Sequence, residues 1–219
     1  MRLYQHSLFR CFETEVVSQL KNQSQSIKLI KGQSLFLQGD EAKVIYYIQS
    51  GTVKILKTSI MGDEKIFSVY QQGSLIALSV LFNEPAQYPA SAIAVEDSEV
   101  IAISVEALEK AIVGSEVATR AWFRHLNRRL ENIQQMLTDQ VFTEARDRFK
   151  KMVTLFVKNS DQKQGDDIIL SLPLTKQEMA ELLSIRRETF SRLLSTLKAE
   201  GLCEVSAKQI RVNRKWLES

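Results

Sequence analysis

The segment from Thr175 to Gly201, TKQEMAELLSIRRETFSRLLSTLKAEG, constrains the fold of this chain more than any other stretch. Thr175 is followed three residues later by Glu178, the spacing of a capping box that begins a helix. Apolar residues then recur at helical spacing in two runs, which Ser184 and Ile185 separate. Gly201 follows the second run, where a glycine commonly ends a helix. The segment therefore predicts two helices joined by a tight turn, a helix-turn-helix.

Charged and polar residues begin the second of these helices. Arginine can donate two hydrogen bonds to guanine, and glutamate can accept one from cytosine. In a DNA-bound helix-turn-helix the second helix lies in the major groove, with its N-terminal residues against the base edges. The pattern thus predicts a DNA-reading helix that begins with Arg186, Arg187, Glu188, Ser191 and Arg192. The alternative interpretation is an ordinary helix pair with a solvated charged face.

Two short alternating runs follow that helix. They cover residues 202–205 and 210–212, and the polar residues 206–209 separate them. Alternation on both sides of a polar turn predicts a β-hairpin. A hairpin directly after a reading helix is a wing, so the predicted domain is a winged helix-turn-helix.

Residues 186–202, RRETFSRLLSTLKAEGL, resemble the recognition helix of the Crp/Fnr family of bacterial transcription regulators. The resemblance implies a palindromic DNA site with TGA-containing half-sites. Arg186 stands where the family often has a serine or threonine cap, and it adds a further phosphate contact. The implied base contacts are those of Arg187, Glu188, Ser191 and Arg192, and the implied backbone contacts are those of Thr175, Lys176 and Thr189.

Length and charge are consistent with this interpretation. The 219 residues suffice for two modest domains. Residues 1–119 hold 10 basic and 13 acidic side chains, whereas residues 120–219 hold 19 basic and 13 acidic ones. A basic C-terminal half suits a phosphate-bearing partner. No apolar run reaches membrane-spanning length and the N-terminus lacks a signal-peptide pattern, so we expect a cytoplasmic protein without a membrane partner.

The first half of the chain has the pattern of a β-structure. Residues 1–24 show helical spacing, and seven short apolar runs between residues 27 and 103 are separated by turns that contain glycine. This predicts a compact antiparallel barrel or roll. The segment resembles the cyclic-nucleotide-binding β-roll of the same family, and the matching residues are Gly32, Gly39–Asp40, Tyr46–Lys54 and Gln72–Gly73.

The ligand residues of that β-roll are replaced here. Nucleotide binders of the family use Gly-Glu and then Arg-Ser/Thr-Ala, and the corresponding residues of this chain are Ala77-Leu78 and residues 90–92, Ala-Ser-Ala. Burying a phosphate without a cation opposite it is costly, which argues against cyclic AMP bound in the usual mode. Either an apolar pocket or a filled interior is expected around Leu75, Leu78, Tyr88, Ala90 and Ser91.

The remaining motifs leave other effectors open. Residues 64–66 and 88–92 resemble Dnr-type and HcpR-type regulators, which respond to nitric oxide or redox state through haem. An axial ligand would have to be His6 or His125, the two histidines of the chain. The resemblance to Fnr-type sensors implies four cysteine ligands for an iron–sulfur cluster, and Cys11 and Cys203 are too few. A regulator without any small ligand is the third alternative.

Residues 115–140 predict one long helix. Its apolar seam suits pairing with a second copy. The alternative is that the seam packs only on its own β-roll. In a two-fold dimer, two recognition helices would lie about 34 Å apart on a palindrome. The seam consists of Leu126, Leu130, Ile133, Leu137 and Val141.

Together these patterns predict an α+β fold in three parts. Residues 1–114 form the sensor β-roll with its N-terminal helices, 115–142 the long dimerisation helix and a hinge near Phe142, and 143–219 the winged helix-turn-helix. Common hydrolase, metalloprotease and phosphate-loop motifs are lacking in the sequence, so we do not expect an enzyme. Double-stranded DNA, a second copy and RNA polymerase are the partners that the resemblance implies.

Overall fold

The computed structural model describes residues 6, 8–62, 64–157, 163–164, 167–171, 174–206 and 209–218. Contacts along the chain divide it into two units, Met1–Asn132 and Ile133–Ser219. No helix in the described part of the chain is long and apolar enough to span a membrane.

The first unit is built from two antiparallel four-stranded sheets, which confirms the predicted β-roll. One sheet has the order β1-β8-β3-β6 and the other the order β2-β7-β4-β5. The strands are β1 (Gln25–Leu29), β2 (Ser34–Phe36), β3 (Val44–Ser50), β4 (Thr52–Thr58), β5 (Glu64–Gln71), β6 (Leu75–Ile76), β7 (Ser91–Ala94) and β8 (Ser98–Ser104).

Strand β3 lies at the centre of the core. Four successive residues, Ile45 to Ile48, are buried, so both faces of the strand are covered. Gly51 links β3 to β4 with φ +86°, and a Cβ there would lie 2.8 Å from the carbonyl oxygen of Asp97. This turn therefore needs glycine both for its left-handed backbone and for the close approach of a neighbouring chain segment.

Helices precede and follow the β-roll along the chain. A 3₁₀ turn (Phe9–Cys11) and α1 (Thr14–Asn22) precede it, and α2 (Val105–Val113) and α3 (Glu116–Phe142) follow it. Ser104 accepts a hydrogen bond from the amide of Ala107 at 3.2 Å and thereby caps α2, as predicted. The predicted long helix is confirmed as α3.

The second unit contains α4 (Ala145–Val157), β9 (Lys163–Gln164), β10 (Asp167–Ser171), α5 (Lys176–Leu182), α6 (Arg187–Ala199), β11 (Cys203–Val205), β12 (Gln209–Asn213) and α7 (Arg214–Glu218). Its strands form one antiparallel sheet in the order β11-β12-β10-β9. Phe149, Phe190 and Leu197 are fully buried and form the centre of its core. Helices and antiparallel sheets in this order confirm the predicted α+β fold.

Candidate functional site

A capping box begins the first helix of the helix-turn-helix. The amide of Thr175 donates to Glu178 Oε2 at 2.8 Å, and the amide of Glu178 donates to Thr175 Oγ1 at 3.2 Å. Both bonds satisfy backbone donors that the helix start would otherwise leave unpaired. The hydroxyl of Thr175 also donates to Glu178 Oε2 at 3.0 Å. A phosphate contact by this hydroxyl, as predicted from the sequence, would therefore compete with Glu178.

The turn between α5 and α6 is fixed by backbone hydrogen bonds. The amide of Ile185 donates to the carbonyl of Ala180 at 3.0 Å, and the amide of Ser184 donates to the backbone carbonyl of Glu181 at 2.9 Å. Ser184 has φ +54°, a left-handed conformation in which a side chain is uncommon. The pair of bonds is a Schellman motif, which ends α5 abruptly and redirects the chain into α6.

Helix α6 is held by its apolar face. Phe190 is fully buried, and its ring meets that of Phe149 edge-on with centroids 5.5 Å apart. Gly201, with φ +68°, ends the helix as predicted, and the amide of Leu202 donates to the carbonyl of Leu197 at 2.9 Å. The packing of this apolar face and the defined end of the helix together fix the direction in which the opposite, polar face points.

That polar face presents charge at the helix start. Arg186, the N-cap residue, makes no side-chain cap hydrogen bond. Glu188 and Arg192 are four residues apart, a spacing that often gives an ion pair, yet in the described part of the chain neither pairs with a charged group. The exposed positions are Thr175, Lys176, Arg186, Arg187, Glu188, Thr189 and Arg192, and Ser191 is half-buried. The structure therefore brings the predicted DNA-binding residues to adjoining elements of one unit.

The predicted wing is present as β11 and β12, and residues 207 and 208 of its turn lie outside the described part. Charged residues around it are paired. Arg211 Nη2 lies 2.6 Å from Asp167 Oδ2, and Lys198 Nζ lies 2.5 Å from Glu204 Oε1. These two cations are already neutralised within the unit, in contrast to the arginines at the start of α6.

The predicted dimer seam on α3 is largely unburied. Leu130, Ile133 and Leu137 are 58%, 46% and 59% exposed. Leu126 is half-buried and packs against the core of the β-roll. The side chain of Val141 lies outside the described residues.

Sequence reasoning missed one residue of this face. Phe123 is 59% exposed and lies three residues before Leu126, so it continues the same spacing. Its position one heptad before Leu130 could have identified it.

The predicted effector positions surround a filled interior. Leu75, Leu78, Tyr88 and Ser91 are buried, and Ala90 is half-buried. The rings of Phe36 and Tyr88 stack with centroids 3.9 Å apart, and Tyr46 stacks on Phe36 at 5.6 Å. Burial, together with the neighbouring hydroxyl of Tyr46, raises the pKa of Tyr88, whose hydroxyl donates to the carbonyl of Val44 at 2.7 Å. The aromatic stack of Phe36, Tyr46 and Tyr88 therefore fills this part of the roll.

The backbone at Ala77 is left-handed, with φ +65°. This is the position that corresponds to glycine in the nucleotide-binding pattern, and the structure retains the conformation that favours glycine. Leu78, at the position of the glutamate, is only 5% exposed. In the alignment expected from the sequence, the backbone conformation of the binding motif is kept and an apolar side chain stands in place of its glutamate.

The two histidines lie close together in the first unit. The ring centroids of His6 and His125 are 6.1 Å apart, and Trp122 stacks on His125 at 5.9 Å. Burial, and then the charge of His125, lower the pKa of His6 to about 4. Burial, and then Arg129 and Arg128, lower the pKa of His125.

The cysteines have the chemistry of packed thiols. Burial, and then the charge of Glu204, raise the pKa of Cys203 to about 12. Burial also raises the pKa of Cys11, which is half-buried. Among the described residues, no group of three or more histidine, cysteine or acidic side chains could hold a metal ion.

Comparisons with known proteins match both units. The family described as cyclic nucleotide-binding domain matches residues 27–114, and the Crp-like helix-turn-helix domain matches residues 150–218. The anaerobic regulatory protein of Bacillus subtilis is 26% identical over 200 residues, which cover 90% of this chain and 84% of the relative.

Two solved structures extend the comparison. The structure of DNR from Pseudomonas aeruginosa is 28% identical, with a TM-score of 0.55, and the match covers 100% of this chain and 97% of that one. FixK2 from Bradyrhizobium japonicum, at 21% identity, shows the same fold with a TM-score of 0.74 over 89% of this chain and 96% of its own.

The two matched family models follow one another along the chain, the cyclic nucleotide-binding domain first and the Crp-like helix-turn-helix domain second. The relatives are transcription regulators rather than enzymes. A cyclic-nucleotide-binding roll followed by a Crp-like helix-turn-helix accounts for most of the chain. The chain therefore belongs to the Crp/Fnr family of DNA-binding transcription regulators.

Proposed function

We propose that this regulator is a homodimer that binds a palindromic DNA site, with one α6 helix in each half-site. Arg187, Glu188 and Arg192 would contact base edges, and Ser191 would add a further contact. Backbone phosphates would be contacted by Thr175, Lys176, Arg186 and Thr189. Half-sites that contain TGA are expected from the family pattern.

The observation that carries this proposal is the unpaired charge at the start of α6. Arg187, Glu188 and Arg192 are exposed, and none of them has an ion-pair partner in the described part of the chain. Desolvating an unpaired guanidinium is costly unless a partner replaces water, and guanine offers two acceptors in the matching geometry. An exposed, unneutralised set on a rigidly packed helix is what base recognition requires.

The dimer is supported by the exposed apolar residues of α3. Phe123, Leu130, Ile133 and Leu137 follow steps of seven, three and four residues, the spacing of a two-stranded coiled coil. When a second copy covers such a row, much apolar surface is removed from contact with water. We infer that Leu126, which packs against the roll, also contributes to this seam. Val141 is included in the proposed seam because it lies four residues after Leu137.

We further propose that the sensor unit does not respond to a cyclic nucleotide. Leu78 and Ala90 cannot hold a ribose hydroxyl or a cyclic phosphate, and the aromatic stack of Phe36, Tyr46 and Tyr88 fills the neighbouring interior. Calorimetry with cyclic AMP should give no binding in the micromolar range. Micromolar or tighter binding would contradict this part of the proposal.

A haem-dependent nitric oxide or redox sensor of Dnr type is the alternative, and the likeness to DNR favours it. The histidines do not fit this cofactor well. His6 Nδ1 already accepts a hydrogen bond from the amide of Leu8 at 3.2 Å, and Trp122 stacks on the ring of His125. The cleft beside His125 has a volume of about 200 Å³. Cofactor sites usually measure roughly 300–1,000 Å³. A Soret band in protein made with ample haem would support the alternative, whereas its absence would leave an organic effector or effector-independent binding.

The DNA proposal is tested by fluorescence anisotropy on a duplex with inverted TGTGA half-sites, beside a scrambled duplex of equal length. The Arg192→Ala variant should lose about 1–3 kcal/mol of binding free energy on the palindrome and discriminate less at one base pair. Arg120→Ala, which removes an equal charge paired with Glu116, is the control and should bind as the wild type does. Equal affinity of Arg192→Ala and wild type on the palindrome would contradict the assignment.

The dimer proposal has its own test in sedimentation velocity. Leu137→Lys should shift the protein towards a monomer, because a charge at the seam must be desolvated on pairing. Leu155→Lys, which changes an exposed leucine on α4, is the matched control. A wild-type protein that sediments as a monomer, or a Leu137→Lys variant that stays dimeric, would count against the seam.

A further inference from the structure

A cleft in the first unit brings three arginines together. It has a volume of about 200 Å³ and lies between the N-terminal segment and α3. The N-terminal segment contributes Leu8, Arg10 and Cys11, and α3 contributes Ala121, Arg124, His125 and Arg128. Leu8 and Ala121 give the cleft an apolar part, and the three arginines that line it are exposed.

The charge in this cleft is uncompensated. In the described part of the chain, no carboxylate pairs with Arg10, Arg124 or Arg128. One turn earlier on α3, Arg120 pairs with Glu116 at 2.8 Å. Like charges four residues apart, such as Arg124 and Arg128, slightly destabilise a helix. This part of α3 therefore carries a small electrostatic cost that an anion would remove.

A second feature lies beside the arginines. His125 Nε2 is a buried atom without a hydrogen-bond partner among the described residues. The ring is held in place because it stacks on Trp122 with an interplanar angle of 15°. A buried polar atom without a hydrogen-bond partner destabilises the folded protein. The thiol of Cys11, by contrast, already donates to the carbonyl of Leu8 at 2.8 Å.

We propose that this cleft binds a small oxyanion, a phosphate- or carboxylate-bearing molecule of low molecular weight. Guanidinium groups match the geometry of both oxyanions, and His125 lines the same cleft. The volume suits a ligand smaller than a nucleotide. A divalent cation is disfavoured, since three guanidinium groups would repel it. The site is distinct from the filled interior of the roll and does not depend on the proposed DNA contacts.

The cleft shares helix α3 with the proposed dimer seam. A bound anion would hold the N-terminal segment against α3, the helix that carries Leu126 and Leu130. Through this contact, anion binding in the cleft would act as a regulatory input.

The probe for the test is inorganic phosphate, titrated calorimetrically against chloride at constant ionic strength. We expect saturable binding to one site per chain in the wild type. Arg124→Gln and Arg128→Gln should each weaken binding by about tenfold, the loss of one charge-assisted contact. Arg120→Gln, on the same helix, is the matched control and should change the affinity by less than about twofold.

Nuclear magnetic resonance adds a readout that a general charge effect would not move. The chain has two histidines, so their imidazole signals can be resolved and assigned with His6→Gln. Phosphate should shift the His125 signal and raise the pKa of that imidazole, because the anion favours its charged form.

Absence of saturable binding, or equal loss of affinity in Arg120→Gln and Arg124→Gln, would overturn the site. So would an unshifted His125 signal at saturating phosphate. If Arg124→Gln leaves phosphate binding unchanged but lowers the salt dependence of DNA binding, these arginines contact DNA instead. None of the phosphate measurements contains DNA, so their failure would leave the proposed DNA recognition untouched.

Discussion

The start of α6 and the interior of the β-roll differ in what they retain from the same family. At the start of α6, Arg187, Glu188 and Arg192 are exposed and free of intramolecular ion pairs within the described residues. In the roll, Ala77 retains a left-handed backbone, but Leu78 is buried where a polar ligand contact would be needed. The start of α6 thus presents the charged residues expected from the family pattern, whereas the roll combines a left-handed backbone at Ala77 with a buried apolar residue at Leu78.

The difference shows that fold and function are separable within one chain. A binding site depends on particular side chains, and a backbone can persist after those side chains have changed. The aromatic stack of Phe36, Tyr46 and Tyr88 makes this part of the roll core rather than pocket. The family fold of the sensor unit is therefore no argument for a cyclic nucleotide, whereas the charged residues of α6 are a direct argument for DNA.

The largest expected effect concerns the scaffold of the reading helix. Phe190→Ala should destabilise the second unit by about 3–5 kcal/mol, because Phe190 is fully buried against Phe149 and its removal leaves a cavity. Urea unfolding followed by the fluorescence of Trp216, the tryptophan of this unit, measures the change. Leu155→Ala is the control, since Leu155 is 64% exposed and should change stability by less than about 0.5 kcal/mol. Similar losses for both variants would mean that α6 is not anchored through Phe190.

The corresponding scaffold test in the roll is Gly51→Ala. An alanine at φ +86° costs about 1–2 kcal/mol, and its Cβ would also lie 2.8 Å from the carbonyl of Asp97. Gly73→Ala separates the two effects, because Gly73 has φ +89° but a Cβ added there would meet nothing within 4 Å. Thermal unfolding should therefore show a larger loss for Gly51→Ala than for Gly73→Ala. Equal losses would show that the neighbouring chain segment yields to the extra carbon.

The sequence predicted the second unit better than the sensor interior, for physical reasons. Thr175, Glu178 and Gly201 specify α5 and α6 through hydrogen bonds between residues close in sequence, and such local signals are recognisable without the fold. The ring stack of residues 36, 46 and 88 joins three separate segments, so only the sheet pairing reveals it.

The same distinction explains the other misses. Strand β6 has two residues, too few to show alternation, and His6 meets His125 only through tertiary packing. Phe123 could have been predicted from its spacing, because it lies seven residues before Leu130 on the same helix.

Acidification should weaken the first unit through its histidines. The pKa values of His6 and His125 are lowered in the folded protein, mainly by burial, so the folded state binds fewer protons than the unfolded chain below about pH 6.5. Stability should therefore fall as the pH drops below about 6.5, and solvent screening reduces the loss because both imidazoles are partly exposed. Thermal unfolding of wild type and His125→Gln, in buffer free of multivalent anions, should show a shallower pH dependence for the variant. Parallel curves would exclude His125 as a contributor.

The smallest effect tests whether the filled roll is a fixed core or an adaptable pocket. Tyr88→Phe removes the hydroxyl that donates to the carbonyl of Val44 at 2.7 Å, and should cost about 0.5–1.5 kcal/mol while the ring stack on Phe36 remains. Tyr70→Phe is the control, because the Tyr70 hydroxyl meets Arg129 only at 3.5 Å and the loss should be smaller. If Tyr88→Phe is neutral and the variant gains affinity for an apolar dye such as anilinonaphthalene sulfonate, the interior opens readily and the contrast with α6 weakens. A measurable loss of stability without dye binding would instead identify the aromatic stack as permanent core, and the search for an effector should then move to other surfaces of the first unit.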